Sequence, residues 1–140
     1  MCYGTVWKSF NVRRAFEIIN ENEVAVIAKI PFNSGWLTGK YDEQSVFTGV
    51  RSRWSNDDKA VRSALVKKVK EIILDKISIK SAALSFCAFY NEISTVIPGA
   101  ISTKQLIDNL KSISNNLDSD IVNELESLYE NEIKDLKLPW

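Results

Sequence analysis

The sequence predicts an α/β fold built from βα units, and three observations carry that prediction. Val24 to Ile30 (VAVIAKI) is a run of mostly aliphatic residues, the pattern of a strand buried on both faces, and Pro31 closes it by removing a ladder donor. Ser94 to Ile97 (STVI) is a second short β-branched run, closed in the same way by Pro98 and Gly99. Segments of helical periodicity separate and follow these two runs. Strands alternating with helices imply parallel pairing with right-handed crossovers. A chain of 140 residues has material for one core and hardly for two, so a single domain over 1–140 is expected.

Taken in order, Met1 to Asn11 carries the weakest pattern, and Tyr3 to Trp7 could form a short strand. From Val12 to Asn20, Ala15, Phe16, Ile18 and Ile19 fall at helical spacing, and Asn20-Glu21-Asn22 reads as the exit turn. After the first strand come Asn33, Ser34, Gly35, Thr38 and Gly39, two glycines and three small polar side chains at a strand's carboxyl end. That is where α/β folds put their ligands. The connection continues through Asp42 to Trp54 without clear periodicity. Long loops in compact domains are either functional or plain insertions, and the residues leave both readings open.

Ser55 begins a helix with Asp57 and Asp58 in its first turn, and Asp58 stands at the reciprocal position of a capping box. Val61, Ala64, Leu65, Val69, Ile72 and Ile73 form its apolar stripe, while Lys59, Arg62, Lys67, Lys68 and Lys70 read as a solvated face rather than a binding patch. A second helix from Ser78 to about Tyr90, with Ala82, Ala83, Phe86, Cys87 and Phe89, is expected to be the more buried of the two. Behind Pro98 and Gly99, Ser102 as N-cap and Gln105 three residues on give a capping box, and Leu106, Ile107, Leu110 and Ile113 mark the expected buried face. The amides at this helix start are receptive to an anion, a signal that most capped helices carry without binding anything. Asp118 caps a last helix with Ile121, Val122, Leu125, Leu128, Tyr129, Ile133 and Leu136 inward, and the chain closes on Pro139 and Trp140.

Composition removes several functions. Eighteen Lys and Arg balance 18 Asp and Glu, so no global charge draws the chain to nucleic acid or an anionic membrane, and Arg51, Arg53 and Trp54 alone make a poor nucleic-acid site. No apolar run reaches the ~20 residues that cross a bilayer, and Met1 to Phe10 lacks the regions of a signal peptide, so a cytoplasmic protein is expected. Cys2 and Cys87 make neither a disulfide framework nor a metal site, and Cys87 reads as a small core residue. The chain has no histidine, which excludes Ser-His-Asp and Cys-His triads, His-ligated zinc and any imidazole acid or base. Any chemistry must come from carboxylates, Lys, Tyr or a cofactor.

Two strands whose carboxyl ends carry small polar residues and a helix N-terminus match the phosphate-binding corner of a (β/α)8 TIM barrel, although a complete barrel takes ~250 residues. The motifs go further. Ser34 to Tyr41 (SGWLTGKY), Arg51 to Ser55 (RSRWS) and Thr95 to Leu110 (TVIPGAISTKQLIDNL), with a final LPW, resemble the C-terminal portion of an aldo/keto reductase over about Ala15 to Trp140. The resemblance implies a partial (β/α)8 barrel of two to three parallel strands with covering helices, in which Val24 to Ile30 is the seventh strand and Thr95 to Ile97 the eighth. It implies NADPH as cofactor and carbonyl reduction by hydride transfer as the family's activity.

Position by position, Phe32, Ser34 and Leu37 match the loop that lies across the cofactor pyrophosphate, with Gly35 and Gly39 allowing close backbone approach. Gly99, Ala100, Ser102, Gln105, Asp108 and Asn109 match the segment at the adenosine end, where Asn109 would face the adenine. Lys29 stands where many members place an aromatic ring against the nicotinamide. Ile101 replaces the Arg or Lys that grips the 2′-phosphate in similar relatives, with Lys104 as a substitute, so the choice of NADP over NAD stays open. The family's catalytic Asp, Tyr, Lys and His belong to the first half of the barrel. No residue here matches them, and none is assigned a catalytic or metal-binding role.

Met1 to Phe10 is divergent from the expected sixth strand, and a start codon at a truncation, or a frame disruption, in a once longer reading frame is expected. Helices made to cover a closed barrel would then leave an unpaired strand edge and an apolar face, which predicts self-association or a marginally stable, aggregation-prone chain. Three readings follow: a C-terminal NADP-binding fragment that does not catalyse alone, one subunit of a split enzyme completed by a complementary barrel half, or a non-catalytic nucleotide-binding or interaction module.

Overall fold

A computed structural model describes residues 2–4, 12–74, 76–113 and 117–138 of the chain. Strand β1 (Cys2–Gly4) leads through α1 (Val12–Glu21) to β2 (Val26–Lys29). A long loop then reaches α2 (Asn56–Ile73) and α3 (Ile79–Phe89), followed by β3 (Ile93–Ile97), α4 (Thr103–Ile113) and α5 (Ser119–Leu128), which runs on into a π-helical turn at Tyr129–Ile133. The three strands form one sheet in the order β1-β2-β3, both pairs parallel. The βα order and parallel pairing expected from the sequence are therefore present. The first strand occupies Cys2–Gly4; residues 5–11, Pro139 and Trp140 lie outside the described residues.

Helix starts follow their sequence signals. At α2 the Ser55 hydroxyl accepts from the Asp58 amide at 3.1 Å while the Asp58 carboxylate accepts from the Ser55 amide at 2.9 Å, closing the capping box. Ser78 caps α3 by accepting from the Ser81 amide at 3.0 Å, and Asp118 caps α5 by accepting from the Asp120 amide at 3.0 Å. The core lies among α2, α3, α5 and the loop after β2, and holds Leu65, Val69, Ile73, Leu84, Val122 and Leu125. Burial pushes the Cys87 thiol of α3 up to about 12, so it is a poor nucleophile at neutral pH.

Three burial expectations are corrected. Val24 to Ile30 is not buried on both faces: Val26 and Ala28 are buried, whereas Ile27 is 39% and Ile30 46% exposed. The helices and loop cover one face of the sheet, and no described element covers the other. On α2 the inward line is Arg62, Leu65, Val66, Val69 and Ile73, while Val61 and Ala64 face solvent. The line follows the i, i+3, i+4, i+7 periodicity, but it begins on a charged residue that the sequence reading placed on the solvated face.

The third correction is the largest. Leu106, Ile107 and Leu110 of α4, expected inside, are 50%, 45% and 64% exposed, and the buried residue is Asn109 at 2%. Helix α4 packs on α3 by one side, and its apolar side is left half exposed. Phe89 also turns outward from α3, and Phe86 and Cys87 are only partly buried, whereas Ala82 and Ala83 are buried as expected, together with Ile79 and Leu84.

Candidate functional site

The site expected from the sequence lies where β2 and β3 end. The two strands pair in register with Lys29 opposite Ile97, so the loop that starts at Ile30 and the turn that starts at Pro98 leave the sheet side by side. Neighbouring strands lie about 4.8 Å apart, which brings the two segments within reach of one ligand. A register irregularity near Val26 is filled by the Ser94 hydroxyl, which accepts from the Val26 amide at 3.0 Å.

The first segment is a tight left-handed coil. Ile30, Asn33, Ser34 and Gly35 have φ of 56°, 47°, 57° and 103°, and Gly39 closes the turn at 75°. Ile30 is the unusual member, since a β-branched side chain resists the left-handed region. Phe32, Trp36 and Leu37 point into the core, at 8%, 0% and 2% exposure. Anything Phe32 and Leu37 contribute to a ligand must therefore come from their backbone. Ser34 is half-buried, and its hydroxyl makes no hydrogen bond among the described residues, so it is available to an anion. Thr38 is committed locally, its hydroxyl donating to the Gly35 carbonyl at 2.6 Å.

Gly35 has a structural reason to be glycine. A Cβ there would lie 2.7 Å from Cε2 of Tyr41, on a backbone with φ of 103°. Replacing Gly35 by alanine is expected to lower stability by about 2 to 4 kcal/mol, from left-handed strain and overlap together. At Gly99 an added Cβ meets nothing within 4 Å. Gly99→Ala is expected to change stability by no more than about 0.5 kcal/mol. Urea denaturation midpoints of the two variants check the contrast.

The long connection is not a slack insertion. Trp36, Tyr41, Phe47 and Trp54 form one aromatic cluster, with Trp36 5.7 Å from Phe47 and 5.9 Å from Trp54, and Tyr41 4.8 Å from Phe47. Arg51 ties it further by donating to the Tyr41 hydroxyl at 3.0 Å. This cluster is the floor on which the Ser34 turn rests.

The second segment is held by its own polar groups. The Ser102 hydroxyl accepts from the Gln105 amide at 3.2 Å, as its N-cap role predicts. The Gln105 side chain returns to the Ile101 amide at 2.9 Å, one residue earlier than the expected capping box. Asn109 Nδ2 donates to the Gly99 carbonyl at 3.3 Å, so this buried amide clamps the turn. Gly99, Ala100, Ser102 and Asp108 are exposed, leaving the outer surface of the turn open. Sequence reasoning placed Asn33 in the candidate loop but missed Arg62; both are buried beside the first segment, where Arg62 Nη1 donates to Asn33 Oδ1 at 3.4 Å. The signal for Arg62 was present: it lies three and four residues before Leu65 and Val66, on the line they define. Among the described residues no group of three or more metal-ligating side chains is found, and no helix is long and apolar enough to cross a membrane.

Fold and site together define an α/β protein of βα units whose candidate ligand corner stands at the carboxyl ends of adjacent parallel strands. The model of the Aldo/keto reductase family matches residues 3–130. The chain belongs to the aldo/keto reductase family, as its motifs led us to expect. Solved structures similar to it include the aldo-keto reductase AKR11C1 from Bacillus halodurans in apo and holo forms, with TM-scores of 0.62 and 0.63 and 20% identity to each. These matches cover 83% of this chain and 38% and 37% of the two relatives, so the chain spans less than two fifths of their length. At that identity the likeness shows the fold. No curated protein matches the chain.

Proposed function

We propose that this chain is the NADP-binding portion of an aldo/keto reductase, a single domain made of the last βα units of a (β/α)8 barrel, and that it does not reduce carbonyls by itself. The observation that carries the reading is the Lys29–Ile97 register, which sets the Ser34 turn and the Gly99 turn next to each other at the strand ends. Family membership supports NADPH as the ligand. The residues fit it: an uncommitted Ser34 hydroxyl, an open Gly99 turn stiffened by Asn109, and a helix start whose dipole favours anions.

When bound, the cofactor supplies hydride. In this reading the chain's own residues only hold it. Ser34 and the backbone of Phe32, Gly35, Leu37 and Gly39 lie along the pyrophosphate. Gly99, Ala100, Ser102, Gln105, Asp108 and Asn109 form the adenosine side, Asn109 by shaping the turn. Lys104, exposed in the first turn of α4, supplies a positive charge for the 2′-phosphate in place of Ile101. No side chain here is proposed to donate a proton to a carbonyl oxygen; the absence of histidine removes one member of the family's catalytic set outright.

The bare side of α4 and the open edge at β3 favour a second reading of the same chain, in which a complementary barrel half supplied by another polypeptide pairs with β3 and covers Leu106, Ile107 and Leu110. An adjacent reading frame encoding that half, and carbonyl reduction on mixing the two products, would separate it from the first.

The test is titration with NADPH and NADH, followed by nucleotide fluorescence and by the tryptophans. Weak, saturable binding of NADPH is expected. Ser34→Ala removes a direct partner and Gln105→Ala loosens the turn at Ile101; each is expected to weaken binding by about 1 kcal/mol, the contribution of one hydrogen bond. No response to either nucleotide at millimolar concentration, or turnover of a simple aldehyde with NADPH by the purified chain, would overturn this proposal.

A further inference from the structure

We infer that Lys29 makes this site prefer the reduced over the oxidised nucleotide: its ammonium stands at the end of β2 on the uncovered face of the sheet, where it repels the cationic nicotinamide ring of NADP+ and not the neutral ring of NADPH. The inference rests on the nucleotide-binding reading above and adds to it a residue that chooses between the two redox forms.

Lys29 is the last residue of β2, and the strand alternates: Val26 and Ala28 are buried, while Ile27 and Lys29 are exposed on the opposite face. The register sets Thr95 beside Ile27 and Ile97 beside Lys29, and both of these partners are exposed as well. Because β2 is the central strand, paired on both sides, Lys29 does not guard an open edge. Its ammonium makes no hydrogen bond or ion pair among the described residues. It is also the only charged residue in the three strands, and neither Ile30 to Gly39 nor Pro98 to Thr103 contains another. The strands and the two turns thus bring one charge to the site, and it is positive.

Which part of a ligand meets that charge follows from the side of the sheet each segment serves. Helix α4 packs on α3, on the covered side, so the Gly99 to Asn109 segment holds the adenosine there. The Ser34 turn leaves the strand end itself and carries the pyrophosphate across it. What remains of a dinucleotide beyond the pyrophosphate has the uncovered side to occupy, and that is the side of Lys29. A lysine ammonium is a compact point charge on a flexible stem, without the planar face with which an aromatic ring or a guanidinium stacks. It offers the nicotinamide only an electrostatic interaction. The ring's own charge then decides the outcome, since oxidised nicotinamide is a cation and dihydronicotinamide is neutral.

Competition between NADP+ and NADPH on the full chain, read by NADPH fluorescence, gives the ratio of their dissociation constants. Wild type is expected to hold NADPH about fivefold more tightly than NADP+ at low ionic strength, the size that one unit charge produces across a solvated site, and the preference should shrink as salt is added. Lys29→Gln should abolish this preference by strengthening NADP+ alone, Lys29→Glu should reverse it, and Lys29→Arg should keep it. An exposed side chain without partners leaves the fold indifferent to these changes, so all three variants should melt within a few degrees of wild type. Adenosine 2′,5′-bisphosphate, which has no nicotinamide, should bind wild type and Lys29→Gln alike.

A ratio that stays the same in wild type, Lys29→Gln and Lys29→Glu overturns the role of Lys29 and leaves the nucleotide site standing. Equal weakening of NADPH, NADP+ and adenosine 2′,5′-bisphosphate by Lys29→Gln also overturns it, because the lysine is then a phosphate contact that does not sense the ring. If wild type binds none of the three at millimolar concentration, the nucleotide reading fails, and this inference with it.

Discussion

Replacing Trp36 by alanine is expected to remove about 3 to 5 kcal/mol of stability, a large share of the 5 to 15 kcal/mol that holds a domain together. Trp36 is fully buried, and its ring meets Tyr41, Phe47 and Trp54 at 5.7 to 6.0 Å between centroids. Removing it takes the centre out of the cluster that orders the connection from β2 to α2. The Ser34 turn, one residue away from Gly35 and two from Trp36, loses its floor, so nucleotide binding should vanish together with near-ultraviolet circular dichroism.

Trp36→Phe behaves differently. The Trp36 indole N–H is buried with no hydrogen-bond acceptor among the described residues, so the smaller ring removes an unsatisfied donor along with some packing. Its net effect is expected to stay within about 1 kcal/mol. Urea midpoints of the two variants decide the matter: an alanine variant as stable as wild type would mean that the connection is ordered by something other than this cluster.

Substituting lysine at Leu106, Ile107 and Leu110 together is expected to change the state of the chain in solution without weakening its core. All three are half or nearly half exposed, and Ile101, at 94%, extends the same apolar surface toward the Gly99 turn. Such a contiguous face on a helix beside an open strand edge is the kind of surface that proteins cover. The wild-type chain is expected to self-associate in sedimentation or light scattering, and the triple variant to run as a monomer with a melting midpoint within a few degrees of wild type. A wild-type chain that stays monomeric at high concentration with a cooperative melt refutes this. Loss of association with loss of fold would instead assign these residues to the interior of the protomer.

What could be read directly from the residues was whatever depends on neighbours in the chain. Ser55 with Asp58, Ser78 and Asp118 gave helix starts because capping is a contact over two or three residues. Pro31 and Pro98 gave strand ends because a missing amide acts locally. The motifs at 34–41, 51–55 and 95–110 led to the family for the same reason, being contiguous words. Even Gly35 and Gly39 were legible as special positions. The cause at Gly35, a Tyr41 ring six residues on, was not.

What only the tertiary structure decided was which side of each element is covered. Periodicity says that Leu106, Ile107 and Leu110 share a face; it cannot say whether an element exists to cover it, and in the fold the three stay 45 to 64% exposed. The same limit applied to β2, whose aliphatic run suits burial on two faces and receives cover on one. Arg62 passed for solvated surface because its burial depends on Trp54 and Asn33, 8 and 29 residues away in the chain, arriving together around its guanidinium. By itself the sequence determined the family, the βα order and the two segments at the strand ends, since those follow from local pattern. The register that sets those segments side by side, the aromatic floor beneath one of them and the buried cation next to it come from contacts between distant parts of the chain, and no local pattern encodes them.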